Sequence, residues 1–414
     1  VDEVDQTPAS PTLKRVLKGE LCAGCGLCAG VSNGAVEMRV TPPGYSRPVQ
    51  IRPIPANTER RIAQACPGAV VAPWNDMGGE VDPYWGPHRV VTTGAAVDPD
   101  VRYEGSSGGA ISALLIHALR SGMVDRVIQI GADPGSPSRN VTIVSRTPEE
   151  VLAAAGSRYT ASSPLASLED ILSDEGPVAF VGKPCDISAL RQVAASDERI
   201  GRRVALMISF FCGGIPSHDG VGRILSSMSL GGATLRSFRY RGRGWPGNCI
   251  AETIDGRRGE MTYAESWGRH LSKEVQFRCK ICPDAVGGVA DIACADAWYG
   301  DESGYPSFEE EEGRSLIIGR TEMGERLLAS ALTSGVLEAE PLPITEIVRM
   351  QPAQGNRKSL ILARMVGLKL IGQPTPRVSG LWVGEAARRA SKSEFIRNLL
   401  GTVRRTLRGT RSRM

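Results

Sequence analysis

The stretch Leu21-Cys22-Ala23-Gly24-Cys25-Gly26-Leu27-Cys28 places three cysteines with two residues between each, and Cys66-Pro67 follows downstream. Thiolates at this C-x2-C-x2-C spacing cap three corners of an iron–sulfur cubane, and a more distant Cys-Pro supplies the fourth. Small residues between the ligands let backbone N–H groups approach the sulfurs, which stabilises the reduced, more negative cluster. The alternative is a structural zinc site, but such sites are usually built from paired C-x2-C units. The run therefore predicts a small unit organised by one 4Fe-4S cluster on Cys22, Cys25, Cys28 and Cys66. No second triple lies beside it, so the two clusters of a larger ferredoxin are not expected there.

Working outward, residues 1–20 read as a loose lead-in. Residues 21–80, dense in Cys, Gly and Pro, suit a ferredoxin-like domain folded around metal rather than an apolar core. Asp82-Pro83-Tyr84-Trp85-Gly86-Pro87 is the linker out of it. From 88 to 235 short apolar runs alternate with helical patterns. Val124–Ile130, Val141–Ser145, Pro177–Val181 and Val204–Phe211 read as strands, with helices at 109–121, 148–155, 186–195 and 217–228. This alternation predicts an α/β core with parallel strands. Residues 236–355 add shorter strand-like pieces, a Cys-rich loop at 279–300 and helices near 321–332 and 344–350, making the chain α+β overall. Residues 356–414 form a C-terminal extension.

Six cysteines remain. Cys279-Lys-Ile-Cys282-Pro-Asp284 is a further C-x2-C. Cys185, in Val181-Gly-Lys-Pro-Cys-Asp186, and Cys212, in Phe210-Phe-Cys-Gly-Gly214, each follow a predicted strand. In a parallel sheet both fall at the carboxyl edge, where ligands bind. Cys185, Cys212, Cys279 and Cys282 are thus candidates for a second cluster, with Cys294 in reserve and Cys249 weakest. Inert buried thiols are the plain alternative, and zinc stays open at this second site.

Gly105-Ser106-Ser107-Gly108-Gly109 runs directly into the apolar helix pattern that begins at Ala110. Glycines permit close backbone approach, serines add donors, and a helix start offers free N–H groups to a phosphate. The loop is neither the Rossmann fingerprint nor a Walker loop. Tyr240-Arg-Gly-Arg-Gly-Trp-Pro-Gly247 adds guanidinium groups and an indole suited to phosphate or a flat ring; an ordinary surface turn reads equally well.

These motifs, in this order, resemble the coenzyme F420 hydrogenase/dehydrogenase beta-subunit family. They are the N-terminal triple, Ser107-Gly-Gly109, Gly156-Ser-Arg-Tyr159, Gly182-Lys-Pro-Cys-Asp186, Phe211-Cys-Gly213, Arg241 to Gly247, Cys279 to Asp284, and Ala290-Asp-Ile with Ala295-Asp-Ala-Trp298. The resemblance spans roughly residues 20–355. It extends to 7-hydroxymethyl chlorophyll a reductase and the ferredoxin-dependent divinyl chlorophyllide 8-vinyl reductases. It implies FAD and two 4Fe-4S clusters, and it favours Cys185, Cys212, Cys279 and Cys282 as second-cluster ligands. It also puts Ser106, Ser107, Gly108, Gly109, Ser157, Arg158, Tyr159, Arg241, Gly242 and Trp245 near the flavin, in an FAD-binding core over 88–235. Two departures stand out. Gly-Lys-Pro-Cys-Asp replaces the Gly-Thr-Pro-Cys-Gln of many relatives, so Lys183 brings a cation to the cofactor region. The Ala-Cys-Pro-Gly around Cys66 is unlike the chlorophyll reductases and weakens a tetrapyrrole substrate.

The expected activity follows from the cofactors. Clusters pass single electrons and a flavin converts them to hydride equivalents. The sequence thus predicts an oxidoreductase linked to ferredoxin or coenzyme F420, or alternatively a non-catalytic electron-transfer subunit of a larger complex. Ten cysteines without a signal-like N-terminus predict a cytoplasmic chain, and no apolar run approaches a membrane span. The net charge of +4 sits in the tail, because residues 385–414 carry nine Lys or Arg against two Glu. A nucleic-acid-binding body is therefore not expected. Phe395, Ile396, Leu399, Leu400, Val403 and Leu407, with Arg397, Arg404, Arg405, Arg408 and Arg411, read as a basic amphipathic helix. Such a helix suits an anionic membrane or an acidic partner such as ferredoxin; a solvated, partly disordered end is the alternative.

Overall fold

The computed structural model describes residues 9–75, 77–173, 175–298, 300 and 307–411, so the first eight residues of the lead-in lie outside the described residues. Residues 11–18 of that lead-in form a helix, Pro11–Lys18. Ser10 caps it by accepting the Leu13 N–H, and Pro11 fills the first turn, where no N–H is needed. Two short antiparallel hairpins follow: β1 (Val36–Thr41) with β2 (Tyr45–Gln50), and β3 (Glu80–Asp82) with β4 (Gly86–His88). The helix Ala56–Ala65 lies between the hairpins and delivers Cys66 at its end.

The central sheet is built from β5 (Val90–Ala96), β6 (Arg126–Asp133), β7 (Ser136–Ser145), β8 (Val178–Val181) and β9 (Val204–Phe210). A separate three-stranded sheet follows, of β10 (Leu235–Arg239), β11 (Cys249–Thr253) and β12 (Arg258–Met261). The chain then returns to the central sheet with β13 (Ile292–Asp296), β14 (Ser315–Gly319) and β15 (Leu337–Pro341). The strand order is β15-β5-β14-β13-β9-β8-β6-β7.

The sheet is mixed rather than parallel. β6, β8, β9 and β13 pair in parallel, while β7, β14 and β15 pair antiparallel to their neighbours. The expectation of parallel strands fails first at β7, where a two-residue turn after Asp133 folds the chain straight back. Asp133 Oδ1 accepts the Gly135 N–H at 2.9 Å and closes that turn. The segment read as a Cys-rich loop at 279–300 contains β13, so Cys294 lies within a strand.

One face of the sheet packs on the helices Ala110–Arg120 and Glu322–Thr333, with Leu114, Ile317 and Leu327 fully buried between them. The opposite face shares a core with the N-terminal region. There Leu27, Ile62 and Trp74 join Phe180, Ile187 and Leu316. At about 25 cal/mol per Å2 of apolar surface removed from water, this shared core fixes the N-terminal thiol loop against the sheet. β5, β8, β9 and β13 all end at one edge, which receives the Ser–Gly loop, Lys183, Cys212 and Asp296.

Candidate functional site

Cys22, Cys25, Cys28 and Cys66 line one apolar cavity with Leu13, Val16, Met38 and Pro67. The loop can fold so tightly because Gly24 and Gly26 take left-handed φ values of 78° and 87°. A Cβ at Gly26 would sit 2.6 Å from the Ala166 nitrogen, so this position admits glycine alone. Cys66 approaches from the end of its helix, its N–H bonded to the Ile62 carbonyl at 2.8 Å. All four thiols are free, and burial pushes each upward, Cys66 to about 11. Neighbouring thiols add to the rise at Cys25, Cys28 and Cys66, whereas Arg47 opposes it at Cys22. Four desolvated, mutually repelling sulfurs are stable as neutral thiols or as ligands to a cation.

Cys185, Cys212, Cys279 and Cys282 are also drawn together. Cys185 opens the helix Pro184–Ala194 after β8, Cys212 follows β9, and the short helix Phe277–Lys280 carries Cys279 with Cys282 just beyond. Burial raises Cys212 to about 12, with Cys279 and then Cys282 contributing; burial and Asp186 raise Cys185, with Cys212 and Cys279 adding to the rise. Cations surround this group. Lys183 is buried against Asp186 at 2.8 Å and Ser162 Oγ at 2.7 Å. Burial alone would lower Lys183, but Asp186 and then Cys185 outweigh it and hold the amine charged. Lys183 therefore stands beside the second thiol group. Arg357 donates to the Cys212 carbonyl at 3.1 Å.

Cys294 and Cys249 join neither group. Cys294 packs with Leu114 and Ile317 in the core beneath the sheet, and Cys249 packs with Phe238 and Tyr240 in the smaller sheet. Among the described residues, no three His, Cys, Asp or Glu converge on a point suited to a single ion. A cubane takes each thiolate at its own iron corner, so its ligands surround a volume rather than a point.

At the same edge Arg241, 1% exposed, makes a forked ion pair with Asp296 and donates to the carbonyls of Ser106 and Pro246. Trp245 Nε1 also donates to Asp296, at 2.8 Å. Trp245 and Trp298 stack at 4.8 Å, Tyr263 stacks on Trp298 at 5.9 Å, and the guanidinium lies 4.7 Å from the Tyr263 ring centre. Ser106 Oγ accepts the Ser157 N–H, and Ser107 Oγ donates to the Arg314 carbonyl at 2.8 Å. Ser106, Ser107, Ser157, Arg241 and Trp245 are thus brought together with Asp296. Gly108 and Gly109 are packed by the chain itself: Cβ atoms there would lie 2.8 Å from the Ser315 nitrogen and 2.6 Å from the Val101 carbonyl. Gly242 turns the strand end with φ 111°. Arg158 faces β7 instead, donating to Asn140 Oδ1, Pro137 O and Arg139 O, while Tyr159 packs on Trp267 at 4.9 Å.

Sequence reading missed Tyr263, Phe308, which packs edge-on to Trp298 at 5.0 Å, Gln276, which donates to Cys279 Sγ at 3.5 Å, and Arg278, which donates to the Pro67 carbonyl at 2.9 Å. Arg278 adjoins Cys279 in the motif, but its direction is set by tertiary packing. Tyr263 and Phe308 carry no local signal at all.

A mixed α/β sheet that gathers two groups of four buried or half-buried thiols and an Arg–Asp–aromatic nest defines a class of redox-type proteins. The chain belongs to the coenzyme F420 hydrogenase/dehydrogenase beta-subunit family. The model of that family's N-terminal part matches residues 91–169, and the model of its C-terminal part matches 176–344. The coenzyme F420 hydrogenase subunit beta of Methanococcus voltae is 26% identical over 302 residues, covering 69% of this chain and 98% of the relative. Chloroplastic 7-hydroxymethyl chlorophyll a reductase from Oryza sativa subsp. japonica is 24% identical over 56% of this chain and 47% of the relative. A chain of the F420-reducing NiFe hydrogenase complex from Methanosarcina barkeri superposes with a TM-score of 0.52 at 22% identity, covering 72% of this chain and 99% of that one. That likeness concerns the fold.

Proposed function

We propose that the chain is an iron–sulfur flavoprotein oxidoreductase passing electrons between two 4Fe-4S clusters and FAD, with coenzyme F420 or ferredoxin as its redox partner. The observation that carries this reading is the gathering of eight free thiols, each buried or half-buried, into two adjacent groups beside the sheet edge. In this reading Cys22, Cys25, Cys28 and Cys66 hold the first cluster, in a ferredoxin-like unit over 21–80. Cys185, Cys212, Cys279 and Cys282 hold the second. FAD lies against Ser106, Ser107, Ser157, Arg241, Gly242 and Trp245, the expected residues drawn together at this edge, on a core over 88–235 continued by 236–355.

Bound there, these groups supply one-electron transfer and its conversion to hydride equivalents. The chain's own residues set the conditions. The apolar lining excludes water from the thiols. Lys183 and Arg357 place positive charge where electrons collect. Asp296 fixes the direction of the Arg241 guanidinium and the Trp245 indole. The fit is chemical as well as spatial, because buried thiols gain most from a cation that displaces their protons.

The test is anaerobic reconstitution followed by iron, sulfide and flavin analysis. A brown protein bleached by dithionite supports the reading, and a colourless folded protein defeats it. Comparing flavin reduction by reduced coenzyme F420, reduced ferredoxin and nicotinamides then identifies the donor. A second reading, a non-catalytic beta subunit of a larger assembly, draws on relatives named as subunits of hydrogenase and F420-dependent formate dehydrogenase. Substrate turnover by the isolated chain argues against it.

We also read the chain as cytoplasmic and peripheral. No helix among the described residues is long and apolar enough to cross a membrane. The tail forms the helix Lys392–Leu407, packed through Thr402 and Thr406. Ile396, Leu400 and Leu407 stay more than half exposed, beside Arg397, Arg404 and Arg408, and suit an anionic lipid surface.

A further inference from the structure

The two thiol groups are joined by one short element. The helix Phe277–Lys280 carries Cys279, and its Phe277 packs in one cluster with Cys22 and Cys66, as does Ile281. Gln276, the residue that starts this helix, spans both groups: its Nε2 reaches the Ala23 carbonyl at 3.4 Å and Cys279 Sγ at 3.5 Å. Arg278 does the same with a full charge. It is 2% exposed, and its Nη2 donates to the carbonyl of Pro67, the residue after Cys66, at 2.9 Å. Its Nε is buried with no hydrogen-bond partner. It adjoins Cys279 in the helix and hydrogen-bonds Cys282 on one side, and its charge faces Cys22 and Cys66 on the other.

Among the described residues no carboxylate lies within ion-pair distance of Arg278. A permanently charged guanidinium in this setting is costly unless anionic neighbours balance it. The surrounding sulfurs are the available neighbours on both sides. By contrast, Arg47 lowers Cys22 in the first group, and Arg357 lowers Cys212 and Cys282 in the second.

We propose that Arg278 is a positioning residue that serves as one shared counter-charge for both clusters, so that their reduction potentials rise and fall together. The inference rests on the cluster assignment above. A cation near a cluster favours its reduced, more negative state, and removing it moves the potential downward.

The test is a redox titration of the anaerobically reconstituted full chain, following each cluster by electron paramagnetic resonance. In Arg278→Gln, which removes the charge but keeps a donor, both midpoints shift to more negative values. Arg278→Lys, which keeps the charge, leaves both midpoints near their original values. Gln276→Leu, which removes the donor to Cys279 Sγ, lowers the second cluster's midpoint alone and leaves the first in place. In Arg278→Gln a shift confined to one cluster, or none, overturns the proposal. If the Gln variant takes up no iron, Arg278→Met, equally neutral and of similar length, decides by the same criterion: both midpoints fall, or the shared charge is wrong. An unaltered chain that binds no cluster defeats the underlying assignment, whereas a loaded Gln or Met variant with unmoved midpoints defeats only this inference.

Discussion

Arg241 and Asp296 are 55 residues apart in sequence yet meet in a two-pronged ion pair, with N–O distances of 3.0 and 2.9 Å. The guanidinium is buried, and the carboxylate is also the acceptor for the Trp245 indole. Replacing Asp296 by Ala leaves a buried charge without its partner, at a cost of about 3 kcal/mol. We expect Asp296→Ala to lower the urea midpoint and the retained flavin together. Unchanged flavin content at reduced stability would confine the pair to a structural role.

Single-cysteine variants separate the ligand groups from the core thiols. Cys66→Ala and Cys212→Ala should each reduce bound iron from about eight to about four per chain, the content of one cubane. Cys294→Ala, in the core beneath the sheet, should retain all of it. Iron loss in the Cys294 variant would place a ligand where the structure shows packing.

Burial pushes the Cys249 and Cys294 thiols up to about 12. The folded chain therefore holds these protons more tightly than the unfolded chain, whose thiols ionise near 9. Their contribution to stability is intact below pH 9 and is lost as the pH climbs toward 12. The loss amounts to at most about 1.4 kcal/mol per pH unit for each thiol. Urea midpoints across that range should fall less steeply in Cys249→Ala than in the unaltered chain; equal slopes would contradict the assignment.

The exposed stripe of the tail helix predicts salt-sensitive lipid binding. Sedimentation with anionic vesicles should be lost in the double variant Leu400→Glu, Leu407→Glu. It should also fade near about 1 M salt, where charges are screened within about 3 Å. Salt-insensitive binding, or equal binding to neutral vesicles, would rule out the proposed surface.

The parts legible in the sequence were those set by local spacing. Cys22, Cys25 and Cys28 declare themselves within seven residues, and Cys185 and Cys212 were found because each follows an apolar strand. The strands β8 and β9 and the helices starting at Ala110, Pro148 and His218 lie within a few residues of their expected bounds. What escaped depends on contacts between distant segments. Nothing near Tyr263 announces that it will stack beside Trp298. The antiparallel return of β7 was hidden because a strand's direction leaves no trace in its periodicity. The helix Pro11–Lys18 could have been found, since Ser10 and Pro11 form an ordinary start signal.

The helix Pro352–Leu370 begins beyond residue 344, where the family match ends. It still fastens the second cysteine loop at several points: Gln354 to the Cys212 carbonyl, Lys358 to Pro283 and Leu381, and Arg364 to Lys280. The same helix is the seat of the tail helix, with Gly367 lying directly against Leu399 and Thr402. If the second cluster sits where proposed, this helix roofs it, and cutting the chain ahead of Pro352 would shorten the cluster's lifetime in air before it altered the sheet.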